Sequence, residues 1–540
     1  MGSLYIFKGR IGFQNDIGAL DLSSRSFLTC SRYVMAIFLG VAALCIVVST
    51  YQWPLMWDAQ VFHYGNFLIE HGFAPYRDII DMNLPGTYLI DGWAIKVFGA
   101  GDLAWRIFDF TILGTLCLAM MAIARPYDWF AGLFAGVMFA LIHASEGPQN
   151  AGQREEIMTV LIMVAYAFVF ESRRRRYPWM MIFFGLSLGM ASSVKPTGVP
   201  LGACLLGLAL WDLKRKGDAV AAYVWCSLLG LSIAAAIVAT FLVHYDAAGA
   251  LLAITRRLTP YYAGMERINF HLLLRFSLPI AAYVLLPFAI AVASAERYRW
   301  NWEYLAIFLG AAFGAFSYLA QGKAYAHHRY TFVAFMLLWI ALELTQAMRK
   351  NGWVKAVAIA GMSVGSLALV PIYTRLVLQV HPVNLFTPAL ENDLNRIGTE
   401  QLQNRVQCLD LVDGCYNALY HLRIVQSTGW MGDLLLFAPE NSPVVDFYRD
   451  VFWNSIIKNP PAVFILSNEW FNQVPTFAKL NEWPQFARYL EENYKLVISR
   501  EFDAENHHGY RIYVRDGISF PALEKGQQKQ LTPLALIPDS

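Results

Sequence analysis

The dominant pattern along the chain is a series of apolar runs separated by short polar segments. The runs cover residues 33–50, 103–124, 129–143, 157–170, 179–194, 198–211, 219–243, 278–295, 304–319, 331–346 and 354–373. A helix that crosses a bilayer core needs about 20 largely apolar residues. A single run of this kind suits a buried helix in a water-soluble core. Eleven in series leave no soluble core large enough to hold them. The pattern therefore predicts a mainly α, polytopic membrane protein with about eleven transmembrane helices. The stretch 87–98 is apolar but short and holds Asp91 and Lys96. It reads as an interfacial helix with Trp93 at headgroup level.

The pattern changes after residue 373. Short β-like runs at 405–411, 462–467, 495–499 and 510–514 alternate with helix-like runs at 447–458 and 483–493. This predicts a small soluble α/β domain over 374–540. It follows an N-terminal segment over 1–32 and a membrane domain over 33–373, whose long first outer loop covers 51–102.

Composition agrees. Of 540 residues, 57% are hydrophobic and 15% charged, with mean hydropathy +0.40; soluble domains carry roughly 25% charged residues. A net charge of +2 excludes bulk nucleic-acid binding. The placement of the basic residues is more informative. With Lys8, Arg10, Arg25 and Arg32 on the cytoplasmic side, Arg125, the arginines of 173–176, Lys214 and Lys216, Arg297 and Arg299, and Arg349 with Lys350 all fall on that side too. An odd number of crossings then puts 374–540 on the extracytoplasmic face. The first helix lacks a signal-peptide pattern and reads as an uncleaved anchor. Cys408 and Cys415 would share an oxidising compartment, and the sequence leaves open a bridge or two free thiols.

Chemistry gathers at the outer helix ends. The segment 58–70 reads as a helix lying at the interface, with Val61, Tyr64 and Leu68 on one face and Gln60, His63, Asn66 and Glu70 elsewhere. Asp58 at its start is either a helix cap or a catalytic carboxylate. Asp78 and Asp81 follow, and further outer loops add Arg154, Glu155, Glu156, Lys195, Arg256, Arg257, Lys323, His327 and His328. Cations are disfavoured on that side. For Arg267 and Arg275, snorkelling to headgroups is explanation enough. Lys195, Lys323 and one of Arg256 and Arg257 instead suit a phosphate or pyrophosphate whose tail lies in lipid. A carboxylate facing a phosphate site suggests glycosyl transfer, and one base suffices for a single displacement with inversion. The alternative is a transporter or flippase for a lipid-linked or anionic solute. No clear internal repeat is visible and the polar residues sit at helix ends, which favours an enzyme. A membrane-anchored binding module would leave the phosphate-compatible cations unexplained. Nucleotide-binding glycine motifs and CxxC metal spacings are absent.

The succession Trp57-Asp58, Asn83-Leu84-Pro85-Gly86-Thr87-Tyr88, Gly152-Gln153-Arg154-Glu155-Glu156, Ser193-Val194-Lys195-Pro196-Thr197-Gly198, and Gln321-Gly322-Lys323 with His327-His328 resembles the GT-C glycosyltransferases. The likeness is to the branch with protein O-mannosyltransferases, lipid A aminoarabinose transferases and bacterial galacturonosyl or mannosyl transferases. The resemblance implies a polyprenyl-phosphate sugar donor and an active site at the outer membrane surface. It implies Asp58 as base and Glu155 as a second acidic group orienting the acceptor or a partner arginine. Lys195 would face the donor phosphate, with Lys323 and His328 in the polar turn typical of these enzymes. Asp81, Arg154 and His327 are read as donor or acceptor contacts. The expected setting is a bacterial inner membrane with a periplasmic site, and the acceptor is lipid A or core saccharide, a polysaccharide, a lipid or a protein. Related chains carry two prolines after a lysine where this one has Leu84-Pro85-Gly86 after Asn83. Oligosaccharyltransferases of this fold use a divalent ion; lacking a DxD near the first span, this chain is expected to use no metal.

Overall fold

The computed structural model describes residues 15–295, 301–382, 384–439, 442–470, 473–502 and 508–520. Lys8, Arg10, Arg297 and Arg299, and the side chain of Arg25, lie outside the described residues. The first part of the chain is helical: α1 (Asn15–Thr50), α2 (Asp58–Glu70), α3 (Pro85–Phe98), α4 (Asp102–Ser145), α5 (Arg154–Arg175), α6 (Met181–Val194), α7 (Gly198–Arg215) and α8 (Ala221–His244). It continues with α9 (Ala248–Gly264), α10 (Phe270–Arg275), α11 (Ile280–Ala295), α12 (Trp302–Gln321), α13 (Tyr330–Ala347), α14 (Trp353–Ser363) and α15 (Val370–Gln379). Each of the eleven apolar runs falls on a helix. Among the described residues, six helical stretches are long and apolar enough to cross a membrane: Arg32–Thr50, Asp102–Ser145, Ala221–His244, Trp302–Gln321, Ala326–Ala347 and Trp353–Gln379. Pro178–Val194 and Ile280–Ala295 are apolar but shorter.

Helix α4 accounts for two of the runs. Its 44 residues would measure roughly 66 Å if straight, about twice a bilayer core. Pro126 and the non-helical backbone of Asp128 (φ −166°, ψ 111°) break it into two arms. The arms fold back on one another through glycine. A Cβ on Gly132 would stand 2.4 Å from Met121 Cα, and one on Gly136 would stand 2.7 Å from Cys117 Cα.

Ion pairs collect the basic loops at one end of the helix bundle. Asp128 pairs with Arg32 at 2.9 Å and with Arg349 at 3.2 Å. Arg173 bonds Asp212, and Arg174 reaches Glu303 at 3.2 Å and the carbonyls of Ala122 and Ile123. These contacts bring Arg32 and Arg349 to one carboxylate, and Arg174 to the first arm of α4 and to Glu303.

The C-terminal part adds α16 (Phe386–Ile397), α17 (Thr399–Leu402), β1 (Val406–Leu409), α18 (Cys415–His421), α19 (Pro443–Lys458), β2 (Val463–Ser467), α20 (Pro484–Asn493), β3 (Tyr494–Glu501) and β4 (Gly509–Arg515). The strands form one sheet in the order β1-β2-β4-β3, parallel between β1 and β2 and antiparallel elsewhere. Strands β1 and β2 are buried along their whole length and are apolar except for Gln407, whose amide is hydrogen-bonded inside, and Ser467 at the end of β2. Cys408 and Cys415 are bridged, which settles the alternative left open by their spacing.

This part is seated on α2. Gln60 Nε2 donates to Val412 O at 2.7 Å, and Tyr64 OH donates to Ile424 O at 3.0 Å. Both the face that carries Tyr64 and the one that carries Gln60 are therefore covered. Gln60 and His63 are buried, Asn66 donates to Asp91 Oδ2 of α3 at 2.7 Å, and His63 Nδ1 lies 3.0 Å from Asp91 Oδ1.

Candidate active site

Asp58 is the first residue of α2. The preceding Trp57 adopts a left-handed φ of 53°, and the helix start makes no side-chain cap hydrogen bond. The carboxylate is thus not spent on capping. It lines a cavity of about 440 Å³ with Trp57, Asp81, Asn83, Arg154, Tyr262, His327 and His328. The C-terminal part closes the far wall with Val412, Trp430 and Glu469.

Arg154 opens α5 immediately after a turn at Gly152, where φ is +66° and a Cβ would fall 2.0 Å from Trp105 Cζ2. Only glycine fits there. Arg154 Nη2 lies 3.6 Å from Asp58 Oδ2, and Nη1 donates to Asn83 Oδ1. Asn83 in turn donates to Asp81 at 2.8 Å, and Tyr88 OH donates to the same carboxylate at 2.6 Å. Asp81 therefore holds the arm that holds the arginine.

Pro196 prevents α6 from continuing, and Lys195 takes an extended backbone at its end. Its ammonium donates to Glu155 and, at 2.6 Å, to Gln321 Oε1. Glu155 is buried, with His328 Nε2 at 3.5 Å and His327 Nε2 at 4.0 Å. His327 Nδ1 is 3.1 Å from Asn150 Oδ1. Glu155 is not among the residues that line the cavity; it is the buried counter-ion of Lys195. Lys323 lies over the Tyr262 ring at 3.3 Å and 3.7 Å from Glu266 Oε2. Burial pushes its ammonium down to about 8, against the pull of Glu266. Neither lysine lines the cavity: Lys195 is held by Glu155, and Lys323 lies over the lining residue Tyr262.

Arg256 and Arg257 do not join them. Both are exposed on α9, and Arg257 stacks on Phe447 of α19 at 4.2 Å. Arg257 thus serves the contact between α9 and the C-terminal part. Conversely, the sequence reading passed over Tyr262, Glu266, Tyr325 and Glu469. Tyr325 OH donates to both oxygens of Glu266, at 2.8 and 2.7 Å. An acid set among Arg256, Arg257, Arg267 and Arg275 was the available signal for Glu266.

Among the described residues, three groups bring possible metal ligands within 4.8 Å of one another: Glu155, His327 and His328; Asp109, His143 and Glu156; and Asp410, Asp413 and Glu469. The first suits a divalent ion by donor type, and Glu155 Oε2 and His328 Nδ1 accept and donate no hydrogen bond. Lys195 already engages the other Glu155 oxygen. In the third group, Asp410 takes the backbone N–H groups of Gly414 and Cys415, and Asp413 faces His508 Nδ1 at 2.9 Å. Burial raises Asp413 to about 6, and burial with the neighbouring Asp413 and Asp410 raises Glu469 well above its ordinary range.

No protein-family model matches the sequence, and no curated protein matches it. Solved structures do resemble the fold. The oligosaccharyltransferase AglB from Archaeoglobus fulgidus, in complex with an inhibitory peptide and a dolichol-phosphate, has a TM-score of 0.51 at 12% identity, covering 89% of this chain and 74% of that one. ArnT from Cupriavidus metallidurans bound to undecaprenyl phosphate has a TM-score of 0.50 at 12% identity, covering 88% of this chain and 97% of that one. The same ArnT in the apo state gives 0.50 at 13% identity, over 90% and 98% of the two chains. The membrane-length helices, the cavity at their end and the α/β part that closes it together have the GT-C glycosyltransferase fold.

Proposed function

We propose that this chain is an integral-membrane glycosyltransferase that moves a sugar from a polyprenyl-phosphate donor to an envelope acceptor. One observation carries the reading: Asp58 shares a cavity with Arg154, His327 and His328, while Lys323 lies over the cavity-lining Tyr262 and Lys195 pairs with Glu155, the residue next to Arg154. A carboxylate base opposite a cluster of cations suits proton removal at one end of a displacement and charge stabilisation at the other. The binding of undecaprenyl phosphate by ArnT and of dolichol-phosphate by AglB supports a prenyl-phosphate donor.

Asp58 takes the proton of an acceptor hydroxyl. The hydroxyl oxygen attacks the anomeric carbon, the bond from that carbon to the phosphate oxygen breaks, and the polyprenyl phosphate leaves with the electron pair. Arg154 and the nearby lysines and histidines take up the negative charge on the leaving phosphate. One displacement inverts the anomeric centre. Asp81 positions Asn83 and through it Arg154. We place the site on the periplasmic side of a bacterial inner membrane, with eleven crossings, a cytoplasmic N-terminus and the α/β part outside. Lipid A or core saccharide, a polysaccharide and a protein are the acceptor classes. Transfer proceeds without a metal, because the ammonium of Lys195 supplies positive charge at Glu155. A transporter needs the cations but not the base.

Binding of undecaprenyl phosphate to the purified chain in lipid nanodiscs tests the donor. The wild type is expected to bind, and Arg154→Ala is expected to lose about 1.5–3 kcal/mol of charge-assisted interaction. Equal binding by both would remove the phosphate from this site.

A further inference from the structure

Beneath the cavity lie four charged side chains that the chemistry above does not use: Arg106, Asp109, His143 and Glu156. All are at most 1% exposed, so no substrate can touch them. Their contacts lead instead to the three segments that carry the site. Arg106 pairs with Asp109 at 2.9 Å and donates to the Thr50 carbonyl at 3.2 Å and to Thr50 Oγ1 at 2.9 Å, anchoring the end of α1 from which the chain runs to Asp58. The N–H of Gly152 donates to Glu156 Oε2 at 2.8 Å and approaches Asp109 Oδ1 at 3.2 Å, two residues before Arg154. His143 Nε2 lies 3.4 Å from Asp109 and 3.8 Å from Glu156, while its Nδ1 meets Tyr330 OH at 3.0 Å. Tyr330 OH donates to Glu146, which pairs with Arg329 at 2.5 Å, next to His328.

We infer that Asp109 and His143 are positioning residues, holding the segments of Asp58, Arg154–Glu155 and His327–His328 in register as a single anion-binding unit. The physical basis is that buried charges lacking water must satisfy one another, so each member has few alternative positions. Ordinary apolar packing between α1, α4, α5 and α13 would allow these segments to shift separately. The inference rests on the donor reading only for its binding readout.

Two measurements test it on the full chain in nanodiscs. Undecaprenyl phosphate affinity is expected to fall about tenfold in Asp109→Asn and His143→Gln. Glu156→Gln keeps an acceptor for the Gly152 N–H and is expected to stay within about threefold of wild type. Leu116→Ala, a fully buried apolar site on α4, supplies a variant of comparable thermal destabilisation and is expected to bind normally. Hydrogen exchange without ligand is expected to rise in Asp109→Asn at 150–154 and at 327–330 together. Wild-type affinity in Asp109→Asn, equal loss in Leu116→Ala, or faster exchange confined to 150–154 would each overturn the inference. Failure of the wild type to bind undecaprenyl phosphate would instead sink the donor reading, and the exchange pattern would still decide the positioning role.

Discussion

Lys195 and Glu155 form a hydrogen-bonded ion pair in which the carboxylate is 1% and the ammonium 19% exposed. The lysine at the end of α6 is thus held by a buried acid of the preceding helix, α5. Removing it leaves an uncompensated buried charge, which costs about 3–5 kcal/mol. Lys195→Met is expected to lower the melting temperature and to weaken prenyl-phosphate binding. Lys195→Met combined with Glu155→Gln should regain most of the thermal stability without regaining binding. Thermal unfolding and binding, measured on the same detergent-solubilised samples, separate the two effects.

Lys323 predicts a pH dependence. Its ammonium is pushed down to about 8 from an ordinary 10.5, with burial as the main cause. Its attraction for an anion is present below about pH 8 and fades above it. Between 8 and 10.5 the unfolded chain binds more protons than the folded one, so this group makes stability rise with pH over that window. Undecaprenyl phosphate affinity measured from pH 6.5 to 9.5 is expected to decline above about 8 in the wild type and to stay flatter in Lys323→Arg.

Asp413 has the opposite sign. Its carboxyl is raised to about 6 from an ordinary 3.8. The folded state holds that proton more tightly, so the stabilisation it gives is complete at low pH and is lost as pH climbs from about 4 to about 6. Denaturant unfolding across that range, followed by tryptophan fluorescence, is expected to show this slope in the wild type. Asp413→Asn should reduce it.

Chelation tests the metal-free mechanism. Transfer measured after exhaustive EDTA treatment is expected to keep its rate. Loss of activity restored by one divalent ion would assign that ion to Glu155, His327 and His328.

Much of the architecture was legible because it rests on local pattern. Every apolar run became helix, and the two runs on α4 are separate arms because Pro126 and Asp128 interrupt it. The four β-like runs became the four strands. What escaped was set by residues far apart in the chain. Helix α2 read as lying at the interface, and nothing local shows that Gln60 bonds Val412, 352 positions away. Glu155 read as an acid orienting the acceptor or an arginine, and its pairing with Lys195, 40 positions away, was not visible. Arg256 and Arg257 carried the right charge, but the pitch of α9 leaves them on the surface. A residue's chemistry is visible in the sequence, whereas its partner is fixed only by packing.

The central claim is that Asp58 is the base of a sugar transfer. It is tested by mass spectrometry of envelope glycolipids and glycans from cells expressing the wild type or Asp58→Asn at matched protein levels. The account predicts a species lighter by one sugar in the variant, as in cells lacking the gene. An identical glycan profile in wild-type, Asp58→Asn and deletion cells would contradict it.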